Sequence, residues 1–351
     1  MSDTLKGKIW GSYAGLAIGD AMGMPFHELT PEEIKTRCGG LAATFFPIFA
    51  DEFIHLDFQP GQVTDDTTLT VVTAKAILKH KEKITADLFI QELADWVKNN
   101  QKIWQHGGVY GPSTRLAFNN YLNGKLDGHL DRTRSWCYTG TSNGAVMRVS
   151  PAGWACPGRW QDAARLACEV IFPTHPTDVA LSAAACQAAA VAEALSPSAT
   201  FSSMIFAALG GAQLGEDIGK KIARQTGQRY PLPNLEYALE LVEKAKDPFE
   251  AGTLIRTRIG SHFHVAETIA TVFGIFYAAK GDPKASIIAA VNNGGDTDTI
   301  ASILGALTGA LHGIDALPQD WVQKVEQVNH LNCEQMADDF CTLSAERPQD
   351  G

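Results

Sequence analysis

The amino-acid sequence predicts an all-α fold, on three observations. Apolar residues recur at helical spacing wherever a pattern can be read; Ala- and Gly-rich runs have the composition of closely packed helices; and period-2 alternation rich in β-branched residues never lasts for a strand's length. Asp87–Val97 places Leu88, Leu93 and Val97 on one side. Asn234 is expected to cap a helix with Leu235, Ala238, Leu239, Val242 and Ala245 on one face. Asp320 is expected to precede another, carrying Trp321, Val325, Val328 and Leu331, with Gln323 in capping position. Ala180–Leu195 and the series Ala301, Gly305, Ala306, Gly309 and Ala310 have thin faces that let neighbouring backbones approach closely, as central helices require.

The stretches Gln105–Ser113, Asn123–Gly144, Pro151–Trp160 and Gly210–Lys220 are Gly-rich or polar, but none is a long linker separating two compositions. They read as surface loops of one domain, over residues 1–342, followed by a short polar tail, Leu343–Gly351. With 45% hydrophobic and 19% charged residues, the 351-residue chain has the composition of a globule rather than of a disordered segment. Its formal net charge of -10 opposes a nucleic-acid partner, which needs clustered Lys and Arg. The most apolar stretches, Thr268–Ala279 and Ile300–Leu311, are too short or too interrupted to cross a bilayer, so no membrane association is expected. Seven Cys without a C-x-x-C pair, behind a start lacking an apolar leader run, read as reduced thiols of a cytoplasmic protein.

Two acidic clusters stand out. Thr64-Asp65-Asp66-Thr67 runs into an apolar helix, and on its own it has an ordinary explanation: Thr64 caps the helix and the carboxylates face the positive end of its dipole. Asn292-Asn293-Gly294-Gly295-Asp296-Thr297-Asp298-Thr299 also runs into a helix, and there capping accounts for one Asp but not for both. Brought together, the clusters would put four carboxylates and two hydroxyls in a small volume, tolerable in an apolar interior only around a cation. An oxygen-only set without His or Cys suits Mg²⁺ or Mn²⁺, as one ion or a carboxylate-bridged pair, and disfavours zinc.

These clusters resemble the metal motifs of the ADP-ribosylglycohydrolases, which include the dinitrogenase reductase-activating glycohydrolases. The opening Gly11–Glu28 is similar to that family's G-x-x-x-G-D-A-x-G-x-P signature, Thr141–Gly153 to its Asn-Gly-Ala-Met-Arg segment, and Pro173–Leu181 to its Thr-His element. The resemblance implies a compact orthogonal helical bundle with two divalent cations, Mg²⁺ or Mn²⁺, held by Thr64, Asp65, Asp66, Asp296, Asp298 and Thr299. It implies hydrolysis at C1 of a ribose, with Asp66 beside C1 as the catalytic carboxylate and Asp65 as second choice. Ser142, Asn143, Gly144 and His175 would contact substrate, with Gly111-Pro112-Ser113 a weaker candidate; the loop from Tyr138 to Gly144 could turn backbone N–H groups to a diphosphate. Glu267 reads equally as a substrate contact or a helix-packing carboxylate, and Asp20 as a hydrogen-bonding residue inside a helix.

One departure marks this chain. Where the family places Glu two residues after the signature proline, this sequence has His27, with the nearest carboxylate at Glu28. Either Glu28 shifts into the catalytic role, or His27 fills the position with a group that titrates near neutrality and meets the substrate. The expected substrate is an ADP-ribosylated protein, arginine-linked, or an ADP-ribose-containing small molecule. The alternatives are a nucleoside, cleaved by the same C1 chemistry, and a non-enzymatic binding role, which the intact acidic motifs oppose.

Overall fold

The structure, a computed structural model, describes residues 2–49, 58–101, 104, 110–124 and 140–346, among which there are sixteen α-helices and no strand. The first seven are α1 (Ser2–Gly23), α2 (Pro31–Cys38), α3 (Asp65–His80), α4 (Ala86–Asn99), α5 (Pro112–Leu122), α6 (Ser150–Trp154) and α7 (Trp160–Ile171). They lead to α8 (Asp178–Ala194), which is buried at every position but Glu193 and so forms the centre of the bundle, as its Ala-rich composition requires. Around it lie α9 (Phe201–Ile222), α10 (Pro231–Val242), α11 (Pro248–Arg258), α12 (Val265–Ala278) and α13 (Pro283–Val291). The chain closes with α14 (Thr297–His312), α15 (Gln319–Asn329) and α16 (Cys333–Ala345).

The closest helix crossing positions the site. Gly11, Gly15, Gly19 and Gly23 form one stripe on α1, and they lie on Gly309, Gly305, Ala301 and Asp298 of α14. A Cβ at Gly15 would sit 2.3 Å from the Gly305 carbonyl oxygen, and one at Gly19 2.1 Å from that of Ala301. The small-residue face expected of α14 is therefore used, and its partner is the glycine-rich opening of the chain. Ser12 Oγ donates to Ala306 O at 2.9 Å, and Thr297 Oγ1 to Gly23 O at 2.9 Å, which fixes the register of the two helices.

Four local expectations are corrected. Gly210–Lys220 is the interior of α9, where Gly211, Gly215 and Gly219 let that helix close on Ala185, Leu181 and Asp178 of α8; glycine here serves helix contact rather than a loop. Pro151–Trp160 likewise begins inside α6. Asn234 is not a cap: α10 starts a turn earlier at Pro231, whose missing N–H costs nothing there, and the buried Asn234 amide donates to Ala266 O. At α15, Pro318 is the N-cap and Asp320 lies in the first turn, so Gln323 is not in capping position. The last helix continues to Ala345 with Leu343 buried, and residues 347–351 of the expected tail lie outside the described residues. No helix among the described residues is long and apolar enough to cross a membrane. The six Cys described form no disulfide with one another.

Candidate metal centre

The two acidic motifs meet as the N-termini of α3 and α14. Asp65 and Asp66 occupy the first turn of α3, and Asp298 and Thr299 the first turn of α14, behind Asp296 at its N-cap. Gly294 and Gly295 make the approach with φ of 77° and 79°; a Cβ at Gly295 would meet Ser261 O at 2.4 Å, so glycine is required on both counts. Thr64 is the N-cap of α3 by position, but its hydroxyl makes no capping bond. It donates instead to Asp20 Oδ1 at 2.8 Å. The fully buried Asp20 also accepts from the Thr64 and Thr67 N–H groups and from the Thr67 hydroxyl, and thereby caps α3 from α1. This is the hydrogen-bonding role expected of Asp20.

The six oxygen-bearing residues converge. Asp66 Oδ2 lies 3.4 Å from Thr299 Oγ1 and 3.5 Å from Thr64 Oγ1, joining the two helix starts. All six are buried, yet Asp66 Oδ1 and Asp296 Oδ1 have no hydrogen-bond partner. Carboxylate oxygens in that condition are costly unless a cation sits against them, and oxygen donors at two helix N-termini fit a divalent ion. Burial raises the Asp65 and Asp66 carboxyls well above the usual range, and the surrounding charges of Asp20, Asp296 and Asp298 raise them further. Burial also raises Asp298, the nearness of Asp296 adding to it and His27 opposing it.

The oxygen-only set expected from the sequence is incomplete, because His27 stands inside the cluster. Its Nδ1 lies 2.8 Å from Asp298 Oδ1 and 3.4 Å from Asp296 Oδ1. Burial works against a charge on His27, but the two carboxylates outweigh it and hold the imidazolium up to about 12. Asp296 is held below the usual carboxylate range: burial opposes its charge, and the nearby His27 ring together with the hydrogen bond from Asn143 Nδ2, at 2.6 Å, outweighs that. Glu28 does not share this place. It adopts a φ of 61°, its carboxylate is half exposed, and it faces His262 Nδ1 at 3.4 Å.

The expected substrate loop lies beside the cluster. Asn143 is committed to it, its amide bridging Asp296 and Thr268 while its N–H donates to Phe263 O at 2.8 Å. His175 lies beneath: Nε2 meets Ser142 Oγ at 3.0 Å, Nδ1 meets Thr174 Oγ1 at 2.8 Å, and the ring is 1% exposed. Burial, aided by the charge of Arg148, depresses His175 well below its ordinary value, so the ring stays neutral and only one nitrogen donates. Gly144 packs against this ring, where a Cβ would come within 3.4 Å. Ser113 accepts the Gly140 N–H at 2.8 Å at the start of α5, and Glu267 accepts the His262 N–H at 3.1 Å, which supports its packing reading. Tyr138 and Thr139 lie outside the described residues.

Sequence comparison decides the family. A model of the ADP-ribosylglycohydrolases matches residues 1–350. The chain belongs to the ADP-ribosylglycohydrolase family. It is 30% identical to YegU of Escherichia coli (strain K12), over 93% of both chains. It is 26% identical to the ADP-ribosyl-dinitrogen reductase glycohydrolase of Rhodospirillum rubrum, over 90% of this chain and 89% of that one. A solved ADP-ribosylglycohydrolase-related protein complex shares the fold, with a TM-score of 0.68 at 21% identity over 97% of this chain and 99% of the other. As an ADP-ribosylglycohydrolase the chain is a hydrolase of the glycosidase type.

The raised carboxyls of this ADP-ribosylglycohydrolase give a pH signature. Folding makes Asp65 and Asp66 hold protons that the unfolded chain releases above about pH 4, so their contribution to stability falls as pH rises through their folded values. His27, raised as well, contributes in the same direction above about pH 6.5. A divalent cation held by these carboxylates would remove the repulsion. The gap in melting temperature between metal-loaded and EDTA-treated protein is therefore expected to widen from about pH 5 to pH 8, measured by scanning calorimetry. A constant gap would speak against cation binding at these carboxylates.

Proposed function

We propose that the chain is a metal-dependent ADP-ribosyl hydrolase that cleaves the N-glycosidic bond at C1 of an ADP-ribosylated side chain, arginine-linked, and releases ADP-ribose. The observation that carries this reading is the pair of buried, donorless carboxylate oxygens, Asp66 Oδ1 and Asp296 Oδ1, between two helix N-termini. Thr64, Asp65, Asp66, Asp296, Asp298 and Thr299 would hold two divalent cations, which supply charge to fix the vicinal ribose hydroxyls and acidify water.

This chain's own groups complete the chemistry. Asp66, with one oxygen free of hydrogen bonds, stabilises positive charge at C1 or takes the proton of the attacking water. Asp65 stands beside it in the same turn of α3. Asn143 holds Asp296 in place through its amide. Ser142, fixed by His175, faces the phosphate-bearing part of the substrate.

His175→Ala is expected to raise KM about fivefold with kcat nearly unchanged, the loss of one hydrogen bond that positions Ser142 being worth about 1 kcal/mol. Steady-state kinetics check this, and a fall in kcat at constant KM would contradict it. The substrate test is incubation with ADP-ribosyl-arginine and with plain nucleosides, in Mg²⁺, Mn²⁺ or EDTA, followed by mass spectrometry. Metal-dependent release of ADP-ribose supports the proposal. Release of free base from a nucleoside, with ADP-ribosyl-arginine untouched, overturns it in favour of a small-molecule ribosidase.

A further inference from the structure

We propose that His27 is itself a ligand of the divalent cation, giving this chain a mixed nitrogen and oxygen site with Asp296 and Asp298 that selects Mn²⁺ over Mg²⁺. The inference rests on the cation-binding reading above and adds a donor to it.

The distances are those of ligands sharing one ion. One donor atom each from His27, Asp296 and Asp298 lies within 4.8 Å of the others. The contacts of Nδ1 with Asp298 Oδ1 and Asp296 Oδ1, at 2.8 and 3.4 Å, bracket the edge of about 3 Å between neighbouring donors bound at about 2.1 Å. Asp296 Oδ2 is taken by the Asn143 amide, whereas its Oδ1, turned towards His27, has no hydrogen bond and keeps its lone pairs for an ion.

The backbone presents the imidazole. The Glu28 N–H donates to Gly295 O at 2.7 Å, and the Gly295 N–H donates back to Leu29 O at 3.0 Å, so the residues after His27 are clamped directly to the second acidic motif. On the other side, Phe26 is fully buried. His27 is thus placed by two main-chain bonds next to Asp296 and not by the reach of a flexible side chain. The neutral ring would supply the nitrogen donor beside the two carboxylate oxygens. Carboxylate-only sites suit Mg²⁺, and an imidazole moves preference towards later divalent ions.

The test is pulsed EPR of the full chain with stoichiometric Mn²⁺ and no substrate. The expected result is ¹⁴N modulation from a directly bound imidazole, absent in His27→Glu and retained in His175→Ala. Competition titration should show the Mn²⁺-to-Mg²⁺ affinity ratio falling about tenfold in His27→Glu. Bound Mn²⁺ without ¹⁴N modulation in the wild-type chain, or modulation that persists in His27→Glu, would overturn the assignment. Asp298→Asn separates this failure from that of the parent reading. If it weakens Mn²⁺ binding while the wild-type signal lacks nitrogen, the cation site stands and only His27 is misassigned. If the wild-type chain binds no Mn²⁺, both readings fall.

Discussion

Asp66→Asn is expected to lower kcat by about a thousandfold or more, with the fold intact. The substitution keeps the shape of a side chain that is 1% exposed, and replaces the carboxylate whose Oδ1 has no donor with an amide. The remaining oxygen still faces the hydroxyls of Thr64 and Thr299, but the charge that serves C1 and the cation is gone. The same change has an opposite effect on the metal-free protein. Asp66 is raised first by burial and then by repulsion from Asp20, Asp298 and Asp65, so removing its charge should raise the melting temperature in EDTA while abolishing turnover. A variant lost through misfolding would show the reverse. Asp298→Asn is expected to abolish turnover as well and to weaken metal binding; unchanged metal affinity would show the ligand assignment to be wrong.

The second large effect lies away from the chemistry, in the glycine stripe of α1. Gly19→Val should destabilise the protein by about 3 kcal/mol or more, because its Cβ would fall 2.1 Å from the main-chain oxygen of Ala301 and backbone cannot yield as a side chain can. Gly7 is the control. It lies in the same helix with nothing within 4 Å of a built Cβ, so Gly7→Ala should be stabilising by about 0.5–1 kcal/mol. Thermal melts followed by circular dichroism compare the two. Because Gly23 seats α1 directly on the Cα of Asp298, prising the helices apart at Gly19 should also weaken divalent-cation binding. Stability loss with full metal affinity would mean that the crossing does not position Asp298.

What the sequence made legible follows from how local the signal was. The two Asp motifs were readable because a pair of carboxylates at a helix start exceeds what capping can use, and that excess survives without tertiary information. Helix α8 was readable because an unbroken Ala-rich run has only the centre of a bundle to occupy. Gly210–Lys220 was misread for the complementary reason: glycine looks like a loop unless its four-residue spacing is matched to a partner helix. The same spacing, Gly11, Gly15, Gly19, Gly23, stands in the opening segment, which was read only as a signature; its use as the stripe that meets α14 emerges from the fold. The place of His27 was marked only by its position in the opening signature, and its contacts with Asp296 and Asp298 had no local signal. It depends on main-chain bonds between Glu28, Leu29 and Gly295, residues far apart in the chain, and so does the discovery that Glu28 faces His262. Asn143 was expected at the substrate, while its bond to Asp296 spans 153 residues and emerges only from the fold.

The central claim, that the convergent helix starts of α3 and α14 bind divalent cations, is tested most directly by equilibrium dialysis against Mn²⁺ followed by metal analysis of the protein. Two Mn²⁺ per chain are expected for the wild-type protein, reduced in Asp66→Asn and Asp298→Asn. A wild-type chain that retains no Mn²⁺, or variants that retain as much as the wild type, would contradict it.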